Sequence, residues 1–283
     1  MSVIQSRRSF IFSPGTNPSM FSKALASGAD IVCVELEDGV APKDKDAARE
    51  NMLRIFLEPQ ADDGVERIVR VNVLGSPEGE ADLAAVLAAD SPPPALMMPK
   101  VNNPEEVRRV ADALDGAGLP TRLQIIIETN PGLDAAYEIA QASNRVDALL
   151  FGGVDLAADL RCEYGWEPLL YARSRVVHAA AGAGIDVIDV PWLDLGDEAG
   201  LRQEAKASAR LGFTGKGSIH PKQIPVINTI FSPSEERIAY ARKVVAAFAE
   251  ADTGLVVIDN KLIELPVLRT MERILAVAER VKN

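Results

Sequence analysis

Short apolar runs alternate with polar, helix-patterned segments along most of the chain. The runs read RSFIFSPG (8–15), IVCVELED (31–38), RIVRVN (67–72), ALMMPK (95–100), LQIIIET (123–129), VDALLFGG (146–153), IDVIDVP (185–191) and TGKGSIHP (214–221). Segments such as PEEVRRVADALDGAG and DEAGLRQEAKASARLG lie between them with the 3.6-residue spacing of surface helices. Continuous apolarity, rather than alternation, marks strands covered on both faces and therefore a parallel sheet. Eight such units in succession predict an α/β fold, a (β/α)8 TIM barrel occupying residues 1–221. An open doubly wound sheet is the alternative, but no GxGxxG follows the first strand. Residues 222–283 continue as an extension: helical over 222–252 with a break at SPS (232–234), a short strand in LVVIDNK (255–261), and an amphipathic helix over 266–281. A closed barrel does not require this segment, which is expected to cap the barrel or reach a neighbouring subunit.

Composition narrows the partners. With 283 residues and a net charge of -11, the chain suits neither nucleic acid nor an anionic membrane. No apolar stretch reaches the ~20 residues that a membrane helix needs, and MSVIQSRRSF lacks the apolar centre of a signal peptide. Cys33 and Cys162 have no metal-ligand or CxxC spacing, and Cys33 reads as core. A reducing, cytoplasmic setting is expected, with an anionic small molecule drawn in by local cations.

Candidate chemistry sits at the strand ends, where parallel barrels carry their catalytic groups. The eight runs deliver Ser13, Glu37–Asp38, Arg70 and Asn72, Lys100, Glu128, Asp155, Asp189 and His220. Glu128 closes a buried run, and an unpaired buried carboxylate is costly. Paired with Asp155 from the next strand, it offers two hard oxygen ligands for Mg²⁺, with Mn²⁺ as a substitute. Asp155 also stands where a helix cap would. Arg70 either forms a salt bridge to Glu37 or Asp38 or presents its fork to a substrate carboxylate or thioester carbonyl. Lys100 is a Schiff-base candidate, but an ion pair across the rim is the favoured reading. His220 serves acid–base chemistry, a ligand contact or the fixing of its own loop, while His178 lies mid-helix. Arg7, Arg8 and Lys23 are candidate phosphate partners, or plain surface charge; for a CoA-type cofactor the assigned set is Arg8, Ser13, Lys23 and His220.

Taken in order, RSFIFSPG, ALASGADIVCVELEDGVAPKDKDAAR, VRVN, MPKV, IIIETNPGL, FGGVDLAADL and GKGSIHPKQI resemble the citrate lyase β-subunit-like group of the HpcH/HpaI aldolase superfamily. The resemblance covers nearly the whole chain. It implies a (β/α)8 barrel that binds Mg²⁺ through Glu128 and Asp155. It also implies that Arg70 contacts the substrate carboxyl or carbonyl, with Glu37 and Asp38 behind it. Gly153, Val154 and Asp155 complete the substrate contacts. Trimers or hexamers are implied, the C-terminal segment covering a neighbour's site. Three departures stand out. The group's D-L-E-D reads Glu35-Leu36-Glu37-Asp38, its P-G-D has Thr16, and its D-G-K-M-I-D reads Asp259-Asn260-Lys261-Leu262-Ile263-Glu264. Glu264 thus stands where the lyases place a catalytic Asp. The expected reaction is a Mg²⁺-dependent carbon–carbon cleavage of a 3-hydroxyacyl-CoA of the malyl- or citramalyl-CoA type, through an enolate, to an acyl-CoA and a 2-oxoacid. The alternatives are a CoA-independent aldolase on free hydroxy-oxo acids and a citrate-lyase-like subunit whose acyl group arrives on a carrier.

Overall fold

The computed structural model describes residues 6–251 and 254–281, and the chain folds as two compact units that divide at Asn228 and Thr229. The first unit is a closed barrel of eight parallel strands: β1 (Ser9–Pro14), β2 (Ile31–Glu35), β3 (Glu66–Arg70), β4 (Ala95–Met98), β5 (Arg122–Ile127), β6 (Val146–Phe151), β7 (Asp186–Asp189) and β8 (Gly215–Ser218). Each strand pairs with the next in the chain, and β8 closes on β1 through Ser9↔Lys216 and Phe10↔Gly217. All eight apolar runs therefore became strands. The sequence placed the end of the barrel at 221; the compact unit that holds it runs on to Asn228.

The side-chain alternation of each strand sorts the barrel into an inside and an outside. Phe10, Ile31, Cys33, Ile68, Ala95, Met97, Ile126, Leu150 and Ile188 form one buried cluster inside, with Phe12 packed on it. Their neighbours in sequence face the helices. Beneath the cluster, at the N-terminal end of the strands, Arg7 holds Glu66 at 2.7 Å, Asp147 at 2.8 Å and Asp186 at 3.5 Å. Gln124 Nε2 donates to the same Glu66 at 3.0 Å. This charged floor leaves the C-terminal end as the place where polar side chains can face an open mouth. Polar caps start the helices on the outside: Asn103 accepts from the Glu106 amide, Thr129 from Gly132 and Asp197 from Gly200.

The second unit is built separately. Helix Glu235–Ala249 begins at Ser234, whose hydroxyl accepts from the Arg237 amide, so the break at SPS is a cap. Instead of one strand over 255–261, the chain forms an antiparallel hairpin, β9 (Leu255–Ile258) and β10 (Lys261–Glu264). Asp259 and Asn260 both have positive φ, 50° and 59°, which is the two-residue turn that suits the twist of paired strands. Val244, Ile258 and Ile263 make its small core, with Tyr240, Phe248 and Leu268 against it. Helix Leu265–Val281 completes the unit. Among the described residues no helix is long and apolar enough to cross a membrane.

Candidate active site

Glu128 follows β5 directly and stays 3% exposed. Its Oε1 accepts the Lys100 amide at 2.9 Å. Burial pushes its carboxyl up to about 8, and the neighbouring charges of Asp155 and Glu37 push the same way; the Lys100 amide and the Arg70 charge oppose them. Asp155 lies in the first turn of helix Gly153–Leu160, and it is exposed. The N-cap of that helix is Gly152, and no side chain caps it, so the cap reading of Asp155 does not hold. A buried carboxylate with a second one near enough to raise it, leaving the next strand of the barrel, fits a small hard cation that keeps water or substrate oxygens for its other positions. Among the described residues no group of three or more His, Cys, Asp or Glu is placed to hold a metal.

Arg70 ends β3 and points into the barrel above Ile68. Its Nε meets Glu35 Oε2 at 2.5 Å and its Nη1 meets Glu37 Oε2 at 3.3 Å. The guanidinium lies 4.6 Å over the Phe12 ring. Of the two acids that the sequence offered as partners, Glu37 contacts Arg70 while Asp38 goes to Lys100. The stronger contact comes from Glu35, the residue at the first position of ELED. Burial pushes the Glu35 carboxyl up, against the lowering effect of Arg70. Lys100 Nζ reaches Glu37 Oε1 at 2.6 Å and Asp38 Oδ2 at 3.1 Å. Burial alone lowers the ammonium's pKa, but these two carboxylates outweigh it and hold Lys100 protonated. The ion pair expected at Lys100 is present, and a protonated amine is a poor Schiff-base nucleophile. For Asp38, burial acts upwards, and the Lys100 hydrogen bond and charge carry the carboxyl below its usual range.

Between Arg70 and Asp155 opens a cavity of about 150 Å³. Phe12, Ile126, Leu150, Ile188 and Val190 make it mainly apolar, and Leu193 and Val154 stand exposed at its edge. The site thus joins a carboxylate pair, a fixed guanidinium and an apolar wall.

The HpcH/HpaI aldolase/citrate lyase family model matches residues 8–221. The chain belongs to this family. It is 34% identical over 287 residues to the citrate lyase subunit beta of Escherichia coli, covering 97% of this chain and 94% of the relative. It is 33% identical over 296 residues to the mitochondrial citramalyl-CoA lyase of Homo sapiens, covering 98% of this chain and 87% of the relative. Among solved structures, the CitE protein of Mycobacterium tuberculosis in complex with magnesium, acetoacetate and coenzyme A superposes with a TM-score of 0.79. Identity there is 31%, with 97% of this chain and 98% of that one covered. The protein is a carbon–carbon lyase of the HpcH/HpaI aldolase/citrate lyase family, built on its (β/α)8 barrel.

Several residues named from the sequence turn their polar groups away from this HpcH/HpaI site, although Asp189 itself lines the cavity. Ser13 alternates with Phe12 and so faces the helix layer; it is buried, with its hydroxyl unpaired. Arg8 precedes β1 at the opposite end of the barrel, where Asp30 takes its guanidinium at 2.8 Å, so it cannot reach a phosphate at the mouth. Arg7 belongs to the floor cluster at that same end. Lys23 is exposed in the last turn of helix Pro18–Leu25, outside the barrel. Asp189 turns outward to Arg173 at 3.1 Å and Lys216 at 3.0 Å. Asn72 turns to Asp82 at 2.7 Å. His220 does lie beside the mouth, exposed, and its Nδ1 accepts the Lys222 amide at 3.1 Å, which is the loop-fixing role. His178 stacks on Tyr137 at 5.4 Å on the outer helices.

Two contributors escaped the sequence reading. Lys45 Nζ donates to Leu36 O and Glu37 O, both at 2.7 Å, and to Asn72 Oδ1 at 2.5 Å, so it clamps the turn that carries Glu37 and Asp38. Its signal was the lysine that opens the helix after ELED. The other is Gly152. A Cβ there would lie 2.4 Å from Glu128 Cβ and 2.5 Å from Glu128 Oε2. Gly152→Ala should therefore displace the carboxylate and weaken Mg²⁺ binding by on the order of 10–100-fold, as loss of a ligand's support commonly does. Calorimetry with Mg²⁺ checks this, and an unchanged affinity would show that Glu128 is not the ligand.

Proposed function

We propose that the protein cleaves a 3-hydroxyacyl-CoA of the malyl- or citramalyl-CoA type into an acyl-CoA and a 2-oxoacid, with Mg²⁺ at Glu128 and Asp155. The observation that carries this reading is Glu128 itself. Its carboxyl is buried and raised to about 8, with Asp155 near enough to contribute, beside the Arg70 fork. The magnesium, acetoacetate and coenzyme A complex of the CitE relative supports the same ligand classes. When bound, Mg²⁺ would polarise the oxygens of the 2-hydroxy or 2-oxo acid as a Lewis acid.

The chain's own residues do the remainder. The first amides of helix Gly153–Leu160, those of Gly153, Val154 and Asp155, have no partners within the helix and can donate to the acid's carboxylate. As the C2–C3 bond breaks, the hydroxyl passes its proton to a carboxylate base, Glu264, and becomes the carbonyl of the 2-oxoacid. The bonding pair moves to the thioester as an enolate, which Arg70 stabilises by hydrogen bonds from a guanidinium already oriented by Glu35 and Glu37. Reprotonation at C2 gives the acyl-CoA. Phe12, Ile126 and Leu150 keep water from that carbanion. His220, beside the mouth, is the one remaining member of the proposed CoA contacts.

Glu264 is assigned the proton transfer, contributed to a neighbouring protomer in a homo-oligomer. It ends β10, exposed, directly before the last helix. Cross-strand from it stands Leu255, and Val257 and Leu262 are exposed with it, an apolar setting for a carboxylate that a neighbour would cover. Glu264→Gln should lower kcat far more than it weakens substrate binding. Mixing Glu264→Gln with Glu128→Gln protomers should restore part of the activity. No recovery in verified mixed oligomers would contradict the shared site.

The similarity to a citrate lyase subunit favours one second reading, an acyl group delivered on a carrier rather than on free CoA. The test is cleavage of citramalyl-CoA and malyl-CoA set against the free acids, with and without Mg²⁺. Thioester cleavage that stops with EDTA is the expected result. Cleavage of free acids alone would favour the CoA-independent aldolase.

A further inference from the structure

Lys100 combines two features that rarely occur together. It follows β4 in the left-handed region, with φ of 52°, a conformation that suits glycine. Yet its long side chain is fully employed, at 2.6 Å from Glu37 Oε1 and at 3.1 and 3.3 Å from the two Asp38 oxygens. Both main-chain groups are engaged as well. Its N–H donates to Glu128 at 2.9 Å, and its carbonyl accepts from Asn102 Nδ2 at 3.0 Å. Asn102 Oδ1 in turn accepts from the Thr129 hydroxyl at 2.9 Å. A backbone held this way from three sides keeps a conformation that a β-carbon makes unfavourable.

The consequence falls on Glu37, which is shared. One oxygen meets Lys100 at 2.6 Å and the other meets Arg70 at 3.3 Å. The short contact belongs to lysine and the long one to arginine. We propose that Lys100 is a positioning residue for Arg70: by occupying Glu37 and Asp38, its ammonium keeps the guanidinium from being drawn fully onto the acids, so that one edge of the fork remains available to substrate. This deepens the Mg²⁺-lyase reading and rests on it for the identity of what Arg70 serves. It uses Lys100 neither as a nucleophile nor as a proton donor.

Lys100→Met removes the ammonium and keeps the amide on Glu128. A crystal structure of that variant tests the claim without reference to any reaction. The Arg70 Nη1–Glu37 distance should shorten from 3.3 Å towards the ~2.8 Å of a charge-assisted hydrogen bond. An unchanged distance would overturn the proposal. In solution, Mg²⁺ affinity in the presence of pyruvate should stay within about threefold of wild type, because the amide to Glu128 is retained. The value of kcat should fall about 10–100-fold, as for other groups that orient an active residue. Lys100→Arg, which restores a cation of similar reach, should recover most of that loss. The decisive comparison is the cycle of Lys100→Met, Arg70→Lys and the double variant. If lysine acts through arginine, the double variant has the kcat/KM of Arg70→Lys within about threefold. Effects that multiply would show that Lys100 acts independently, and the proposal would fall. Failure of the lyase reading itself shows elsewhere, in a wild type that cleaves no thioester or in Glu128→Gln that binds Mg²⁺ as wild type does.

Discussion

Glu128→Gln is expected to lose nearly all turnover while its metal-free fold becomes no less stable than the wild type. Gln keeps the shape and can still accept the Lys100 amide, which now sits 2.9 Å from Oε1. It removes one of the two carboxylates assigned to the cation. Loss of a group that merely supports a ligand costs about 10–100-fold, so loss of a ligand itself should cost at least that in Mg²⁺ affinity. Stability moves the other way. In the folded chain the Glu128 carboxyl is raised from 4.5 to about 8, mainly by burial. The folded state therefore holds this proton more tightly than the unfolded state. Its contribution is fully favourable below pH 4.5 and is lost as pH rises towards 8. Each unit of such a shift corresponds to about 1.4 kcal/mol. Metal-free wild type should lose Tm between pH 5 and pH 8.5, and Glu128→Gln should lose less. Calorimetric melts of both proteins at the two pH values check this. Parallel pH slopes would mean that Glu128 is not the strained carboxylate described above.

Arg70→Lys is expected to fold and to lose about 10²–10³ in kcat/KM, the range associated with one donor to a developing oxyanion. Lysine keeps the charge that Glu35 and Glu37 need, at 2.5 and 3.3 Å from the present guanidinium. An ammonium cannot lie flat 4.6 Å over Phe12 and, in the same pose, reach two acids and a substrate oxygen. The loss should appear mainly in kcat, because the enolate forms only as the bond breaks. Steady-state kinetics with a thioester substrate measure it, and a lysine variant within a few-fold of wild type would remove the fork from the mechanism.

The barrel was legible because its signal is periodic and local. IVCVELED and LQIIIET are apolar without alternation, which only a strand covered on both faces tolerates, and both became strands of the closed sheet. Glu128 was legible for the same reason: a charge at the end of such a run needs a cause. What the runs conceal is which way each polar residue turns. Ser13, Asn72 and Asp189 lie near the ends of runs just as Arg70 and Glu128 do, yet they face the helix layer; alternation from Phe12 and Ile188 accounts for Ser13 and Asp189, while Asn72, beyond the end of β3, is turned by its partner Asp82. Arg8 and Ser9 open the first run and thus stand at the far end of the barrel from the mouth. The contribution of Glu35 depended on register, Glu35 opposite Arg70, which no single strand displays. Gly152 sits unremarked in the run VDALLFGG, and its role shows only in the position of Glu128 over it. The hairpin at 255–264 was read as one strand because IDNK carries no glycine, although Asp and Asn also tolerate the left-handed turn.

The central claim is that Glu128 and Asp155 hold the cation on which the chemistry depends. Its most direct test is a calorimetric titration of Mg²⁺, with pyruvate present, into wild type at pH 7 and pH 8.5 and into Glu128→Gln. Protons compete with Mg²⁺ for a carboxyl that titrates at about 8, so wild-type affinity should rise between the two pH values. Glu128→Gln should bind at least about 100-fold more weakly at either pH. Equal affinity in wild type and variant, or no Mg²⁺ binding by wild type at all, would contradict the account.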